Sequence, residues 1–133
     1  MDATVKLDGL DAYLSECCRK YDLQACAVVT SEGKILESAG VFIHDRCLLL
    51  LPDYLDMSYQ MGALSEMKGV SLVTLSSLNQ GEHTIAWRFE AWHGLVLCVL
   101  LSLHKIPRHP LLIQHAMTRD IPTLMKPVQG LDI

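Results

Sequence analysis

No stretch of this sequence approaches the ~20 continuous apolar residues that a helix needs to span a bilayer. The longest apolar run, LVLCVLLSL at 95–103, is sized for a strand. Basic clusters are missing too. Eleven Lys and Arg lie scattered along a chain of formal charge −4, which argues against a nucleic-acid footprint. There is no Walker A loop and no G-x-G-x-x-G, so no phosphate cradle is marked; Gly33-Lys34 belongs to a hairpin turn. Cysteine is sparse and odd in number: Cys17, Cys18, Cys26, Cys47 and Cys98, with no C-x-x-C. Cys26 and Cys98 sit inside apolar runs, where a thiol packs as a small hydrophobe. All five are therefore expected to be reduced, as in a cytosolic protein. The first residues, with Asp2 and Asp8, do not match a signal peptide, and the GLDI end matches no prenylation or retention signal. The expected location is cytoplasmic, without membrane insertion.

Catalytic signatures are equally thin. Six histidines are present, but none are spaced i, i+4 and no H-E-x-x-H or Cys/His knuckle occurs. His83 and His93, at turns of adjacent strands, are the one pair placed to approach each other. Ser65-Glu66-Met67-Lys68 matches S-x-x-K, yet the companion S-D-N and K-T-G motifs are missing. Trp87 and Trp92 flank an apolar strand and read as core and rim rather than as a stacking platform. The expectation is a non-enzyme with no catalytic, cofactor-binding or metal-binding residues.

What the sequence has is apolar patterning. Half of its 133 residues are hydrophobic and 20% are charged, which suits a single globular domain with a real core. Leu7, Leu10, Tyr13, Leu14, Cys17 and Tyr21 recur at helical spacing within one arc, opposite Asp11, Ala12, Ser15, Glu16 and Arg19. That is a one-faced surface helix. Ala25–Thr30, the turn Ser31-Glu32-Gly33-Lys34 and Ile35–Ala39 make a β-hairpin. Residues 40–52 read either as an extension of the second strand or as a connection into a helix over 53–69. In that helix Pro52 stands near the first turn, Asp53 and Asp56 favour the dipole, and Gly69 is the stop. Three strands follow, at 71–78, 84–91 and 95–103, separated by Asn79-Gln80-Gly81-Glu82 and His93-Gly94. A last helix runs from Pro110 to Ile121, and Pro122 ends it.

Strands apolar on both faces belong at the centre of a sheet, and half-polar strands belong at its edges. The strands at 25–30 and 95–103 are therefore central neighbours. Numbering the five strands in chain order, the expected order is 2-1-5-4-3. The fold class is α/β of the α+β type: a five-stranded, mostly antiparallel sheet with the first and last helices on one face and the middle helix on the other. The domain spans 1–133, with its core over about 5–121 and an irregular tail at 122–133.

The segment 53–69 carries two apolar stripes. Tyr54, Met57, Met61 and Leu64 form one; Leu55, Tyr59 and Ala63 form the other. Two stripes suggest packing on both sides. The second is expected to face the sheet and the first a partner chain. The bare edge strand 71–78 follows directly, so helix and edge make one continuous candidate interface.

The order helix, hairpin, helix, three antiparallel strands, helix resembles the roadblock family of dynein light chains and small-GTPase regulators, over roughly residues 5–120. AVVTSEGKILES at 27–38 is similar to the family's opening hairpin, and SLVTLSSLNQGEHTIAWRFEAWHGLVLCVLL to its three-strand meander. The resemblance implies a roadblock/profilin-like sandwich and a non-enzymatic scaffold. It implies a dimer, with itself or a homologous chain, through the second helix and the strand after it, and binding to Ras-like small GTPases or to motor and signalling complexes. The residues it implies at the interface are Tyr54, Met57, Met61, Leu64, Met67, Val73 and Leu75. Related layouts leave two alternatives: a small-molecule sensor of GAF or profilin-like type, and a type III secretion chaperone.

Overall fold

The two strands that are apolar on both faces sit side by side in the middle of the sheet. In the computed structural model, residues 5–7, 9–41, 46–65, 67, 69–78 and 81–127 are described. The elements are β1 (Val5–Leu7), α1 (Leu10–Lys20), β2 (Ala25–Thr30), β3 (Ile35–Gly40), α2 (Arg46–Leu64), β4 (Val73–Ser76), β5 (His83–Trp92), β6 (Leu95–Leu103), α3 (Pro110–Asp120), a 3-10 turn (Ile121–Leu124) and β7 (Met125–Pro127). The main sheet runs β3-β2-β6-β5-β4, every neighbouring pair antiparallel. This is the expected 2-1-5-4-3 order once β1 is set aside.

Alternation along the strands divides the core in two. Cys26, Val28, Ile85, Trp87, Leu97, Val99 and Leu101 point to the face covered by α1 and α3, where they meet Leu10, Leu14, Cys17, Ile113 and Met117. Ala27, Val29, Ala86, Cys98 and Leu100 point to the other face, where α2 sets down Leu48, Leu51 and Leu55. Trp87 is wholly buried, and its indole N–H donates to Thr118 Oγ1 at 3.0 Å. Trp92 lies at the exposed rim.

Several boundaries differ from the expected ones. Leu7 belongs to β1, not to the first helix; Gly9, at φ +80°, turns the chain into α1. Helix α2 begins at Arg46 and contains Pro52 in its interior. An interior proline costs about 3 kcal/mol of helix stability. Upstream of it, Leu48 and Leu51 are buried against the sheet, each contributing about 1.5–3 kcal/mol. Burial therefore offsets the proline. Asp53 and Asp56 consequently stand mid-helix, not at the positive end of the dipole.

Helix α2 also stops at Leu64, short of Gly69. The Met67 N–H donates to Gly62 O at 3.2 Å, closing the last turn. Gly62 lies beneath Val70, whose Cγ2 would stand 2.3 Å from any added Cβ. Strand β4 is shorter than the expected 71–78. Residues 122–127, expected to be irregular, form the 3-10 turn and β7, which pairs antiparallel with β1. Asn79, Gln80, His44, Glu66, Lys68 and the tail at 128–133 lie outside the described residues.

Candidate partner interface

Helix α2 carries apolar residues at alternating steps of three and four: Cys47, Leu50, Tyr54, Met57, Met61 and Leu64. This is the spacing of a helix–helix seam. The core-facing arc of Leu48, Leu51, Leu55 and Gly62 is a separate set. Tyr54 packs against the sheet-side core, and the rest of the seam faces solvent. Met57 is 65% exposed, Met61 61% and Leu64 86%, and Leu50 and Met67 are as open. Of the two expected stripes, Leu55 is wholly buried and Tyr59 packs against the sheet-side core, but Ala63 is exposed. Ala63 stands next to the last residue of the helix, Leu64.

Strand β4 is the outer strand on this side of the sheet. Val73 and Leu75 pair with Ala86 and Thr84 of β5 and so lie on the face that α2 covers. Val73 is half-buried against the α2-side core. Leu75, two residues on, is 60% exposed. Between α2 and this edge runs an apolar groove of about 230 Å³, lined by Cys47, Leu50, Leu51, Tyr54, Leu75, Thr84 and Leu100. Burial in its wall pushes the Tyr54 hydroxyl pKa up.

The seven residues singled out in sequence thus fall into three settings. Met57, Met61, Leu64, Met67 and Leu75 are on the open surface, Tyr54 is half-buried in the groove wall, and Val73 is turned inward. Sequence reasoning misses Cys47 and Leu50 because Pro52 carries the local signal of a helix start. The signal that could have found them is the unbroken three-four rhythm of Cys47, Leu50 and Tyr54 running through the proline.

A second concavity, about 250 Å³, is polar and is lined by Ser31, Pro52, Asp53, Asp56, Arg88, Val96 and Cys98. Arg88 Nη1 lies 3.1 Å from Asp56 Oδ1, and Asp53 adds a second carboxylate to the lining. Burial pushes the Cys98 thiol up to about 11, Arg88 pulling the other way, and the thiol is protonated at neutral pH. His83 and His93 stand at opposite ends of the ten-residue β5, roughly 30 Å apart, and do not meet. Among the described residues no group of three or more His, Cys, Asp or Glu could hold a metal ion.

The sequence matches no protein-family model and no curated protein. The fold has clear counterparts. Myxococcus xanthus MglB is 8% identical, with a TM-score of 0.66, the match covering 86% of this chain and 91% of that one. An MglB with tetrameric arrangement is 10% identical, with a TM-score of 0.65 and coverage of 93% and 96%. A Roadblock/LC7 domain from Streptomyces avermitilis is 16% identical, with a TM-score of 0.55 and coverage of 85% and 91%. The likeness is one of fold: the chain folds as a roadblock-type domain.

Proposed function

We propose that this chain is a non-catalytic, cytoplasmic regulatory scaffold that pairs with a second copy of itself, or with a homologous chain, through α2 and β4, and in that form binds a Ras-like small GTPase. The observation that supports it is the solvent-facing seam of α2 running beside an unpaired sheet edge. Leu50, Met57, Met61 and Leu64 contribute about 1.5–3 kcal/mol each when fully buried. Association itself costs on the order of 4–15 kcal/mol. The two are comparable, so the seam alone is a marginal interface. Adding Leu75 and the main-chain groups of β4 moves the balance toward a stable pair, in which two sheets join edge to edge.

The MglB relative with a tetrameric arrangement supports self-association of this fold. The GTPase partner is drawn from the roadblock resemblance, a likeness of fold and not of site. Methionine at three of the exposed positions suits a surface that must adapt to its partner.

The test is binding. The chain, mixed with a panel of Ras-like GTPases loaded with GDP or a GTP analogue, is expected to co-sediment with one of them and to prefer one nucleotide state. Alone, in calorimetry with GTP, GDP and ATP, it is expected to give no heat of specific binding. Micromolar binding of a nucleotide to the chain itself would overturn the scaffold reading.

A further inference from the structure

On the opposite face of the sheet, the sulfurs of Cys18 and Cys26 lie 3.7 Å apart. Cys18 is on the last turn of α1 and Cys26 on β2, joined by a short connection at 21–24. That connection is fixed. The Leu23 N–H donates to Cys18 O at 2.9 Å, and Asp22 takes a left-handed φ of +56°. The contact between the two sulfurs is therefore built into the packing of α1 on the sheet.

The two thiols are not equivalent. Cys26 is wholly buried, and its Sγ donates to Leu14 O at 3.5 Å. Cys18 is only partly buried. A reagent in water reaches Cys18 first and Cys26 only through it. Burial also raises the Cys26 thiol well above the ordinary range, so it is protonated at neutral pH. The other cysteines are poorly placed to compete. Cys17 is buried and points about 100° around the helix from Cys18. Cys98 belongs to the core on the other face of the sheet, and Cys47 is on α2.

We propose that Cys18 and Cys26 are an oxidation site at which a hydroperoxide closes a reversible disulfide between α1 and β2. The Cys18 sulfur attacks the peroxide: an S–O bond forms, the O–O bond breaks, and water or an alcohol leaves. The Cys26 sulfur then attacks the Cys18 sulfenic sulfur, forming S–S and breaking S–O, and its thiol proton leaves with the departing hydroxide as water. Two thiols lose two electrons and the peroxide gains them. The sulfurs must close by about 1.7 Å to reach bonding distance, a movement within reach of side-chain rotation and a small shift of the helix end. The product closes a short loop and restrains the unfolded chain, so it stabilises α1 against the sheet. It lies on the face away from α2 and leaves the proposed partner surface untouched.

The experiment treats the native full chain with hydrogen peroxide, blocks remaining thiols after denaturation, and maps the peptides by mass spectrometry. The expected product has lost the mass of two hydrogens, carries a Cys18–Cys26 cross-link, melts several degrees higher, and reverts on reduction with dithiothreitol. Cys18→Ser, at a partly buried position, should fold and show no such cross-link. In Cys26→Ser, Cys18 should instead accumulate as a sulfenic acid that dimedone traps. Either of two results would overturn the proposal: Cys18 and Cys26 both still free when Cys47 has oxidised, or Cys18 linked to any cysteine other than Cys26. The wild-type peptide map distinguishes these outcomes even if the Cys26 variant does not fold.

Discussion

The guanidinium of Arg88 lies 4.4 Å from the ring centroid of Tyr59, and the Tyr59 hydroxyl accepts the backbone N–H of the same Arg88 at 3.3 Å. With the Asp56 ion pair added, one residue of β5 holds the middle of α2 in three ways. The ion pair is partly exposed and contributes about 0–1 kcal/mol; the stacked cation adds about 0.5–1 kcal/mol. Arg88→Ala is expected to lower unfolding stability by about 1–2 kcal/mol in urea titration. Arg88→Lys should recover only part of that loss, because an ammonium cannot stack as a plane.

At the open end of the first hairpin, Gly40 has φ +80°, and an added Cβ would stand 2.3 Å from Gln24 O. A left-handed residue with a side chain costs about 1–2 kcal/mol before any clash is counted. Gly40→Ala is expected to destabilise by more than about 2 kcal/mol. Gly94→Ala makes the control: it shares the positive φ but has open space around it, and should cost only the backbone part. Thermal melts of the pair separate the two contributions.

Tyr13 donates to Asp120 Oδ2 at 3.0 Å, tying α1 to the end of α3. Arg119 beside it holds the Asp120 carboxyl below its ordinary value of 3.8, with the Tyr13 bond adding to the effect. A depressed carboxyl contributes stability that is present above its unfolded pKa and lost as pH falls through the folded one. Burial raises the Tyr13 hydroxyl above its ordinary value of 10.0. Its contribution is whole below that value and declines as pH rises beyond it. The stability profile should therefore fall below about pH 4 and again above about pH 10. Tyr13→Phe is expected to cost about 1 kcal/mol near neutrality and to soften both limbs, measured by denaturant titration across pH.

Within α2, burial separates neighbours of similar chemistry. Leu55 is wholly buried between helix and sheet, so Leu55→Ala is expected to cost about 2–5 kcal/mol. Ala63 is exposed beside the helix end, so Ala63→Glu should leave the melting temperature within a degree or two. The reverse ranking would mean that the helix is rotated from the placement described.

The sheet was legible because its signal is strong and local. Runs such as ACAVVT and LVLCVLLSL are apolar on both faces, and only a central strand can use them. The ends of α2 were harder. Pro52 carries the local signal of a helix start, but the burial of Leu48 and Leu51 extends the helix upstream of it, and burial is a property of the fold. Gly69 is a good local stop, but the chain turns earlier because Val70 must pass over Gly62. The pairing of β1 with β7 joins the two ends of the described chain, a contact that no local pattern announces. At the candidate interface, Met57 and Met61 were visible from spacing, whereas Met67 came only with the family resemblance. The inward turn of Val73 was not visible, because one β-rich residue on an edge looks like the next until the covering helix is placed.

The proposed scaffold stands or falls on whether the outward seam of α2 joins two chains. Sedimentation equilibrium at micromolar concentration decides it, on the wild type and on Met61→Glu, which sets a carboxylate in the seam where pairing would bury it without a counter-charge. The expected wild-type mass is twice that of the 14.8 kDa chain, and the Met61→Glu protein should have single-chain mass and still melt cooperatively. A wild type that sediments as a clean 14.8 kDa monomer would rule out self-pairing, and a Met61→Glu variant that remains a dimer would rule the seam out as the joining surface.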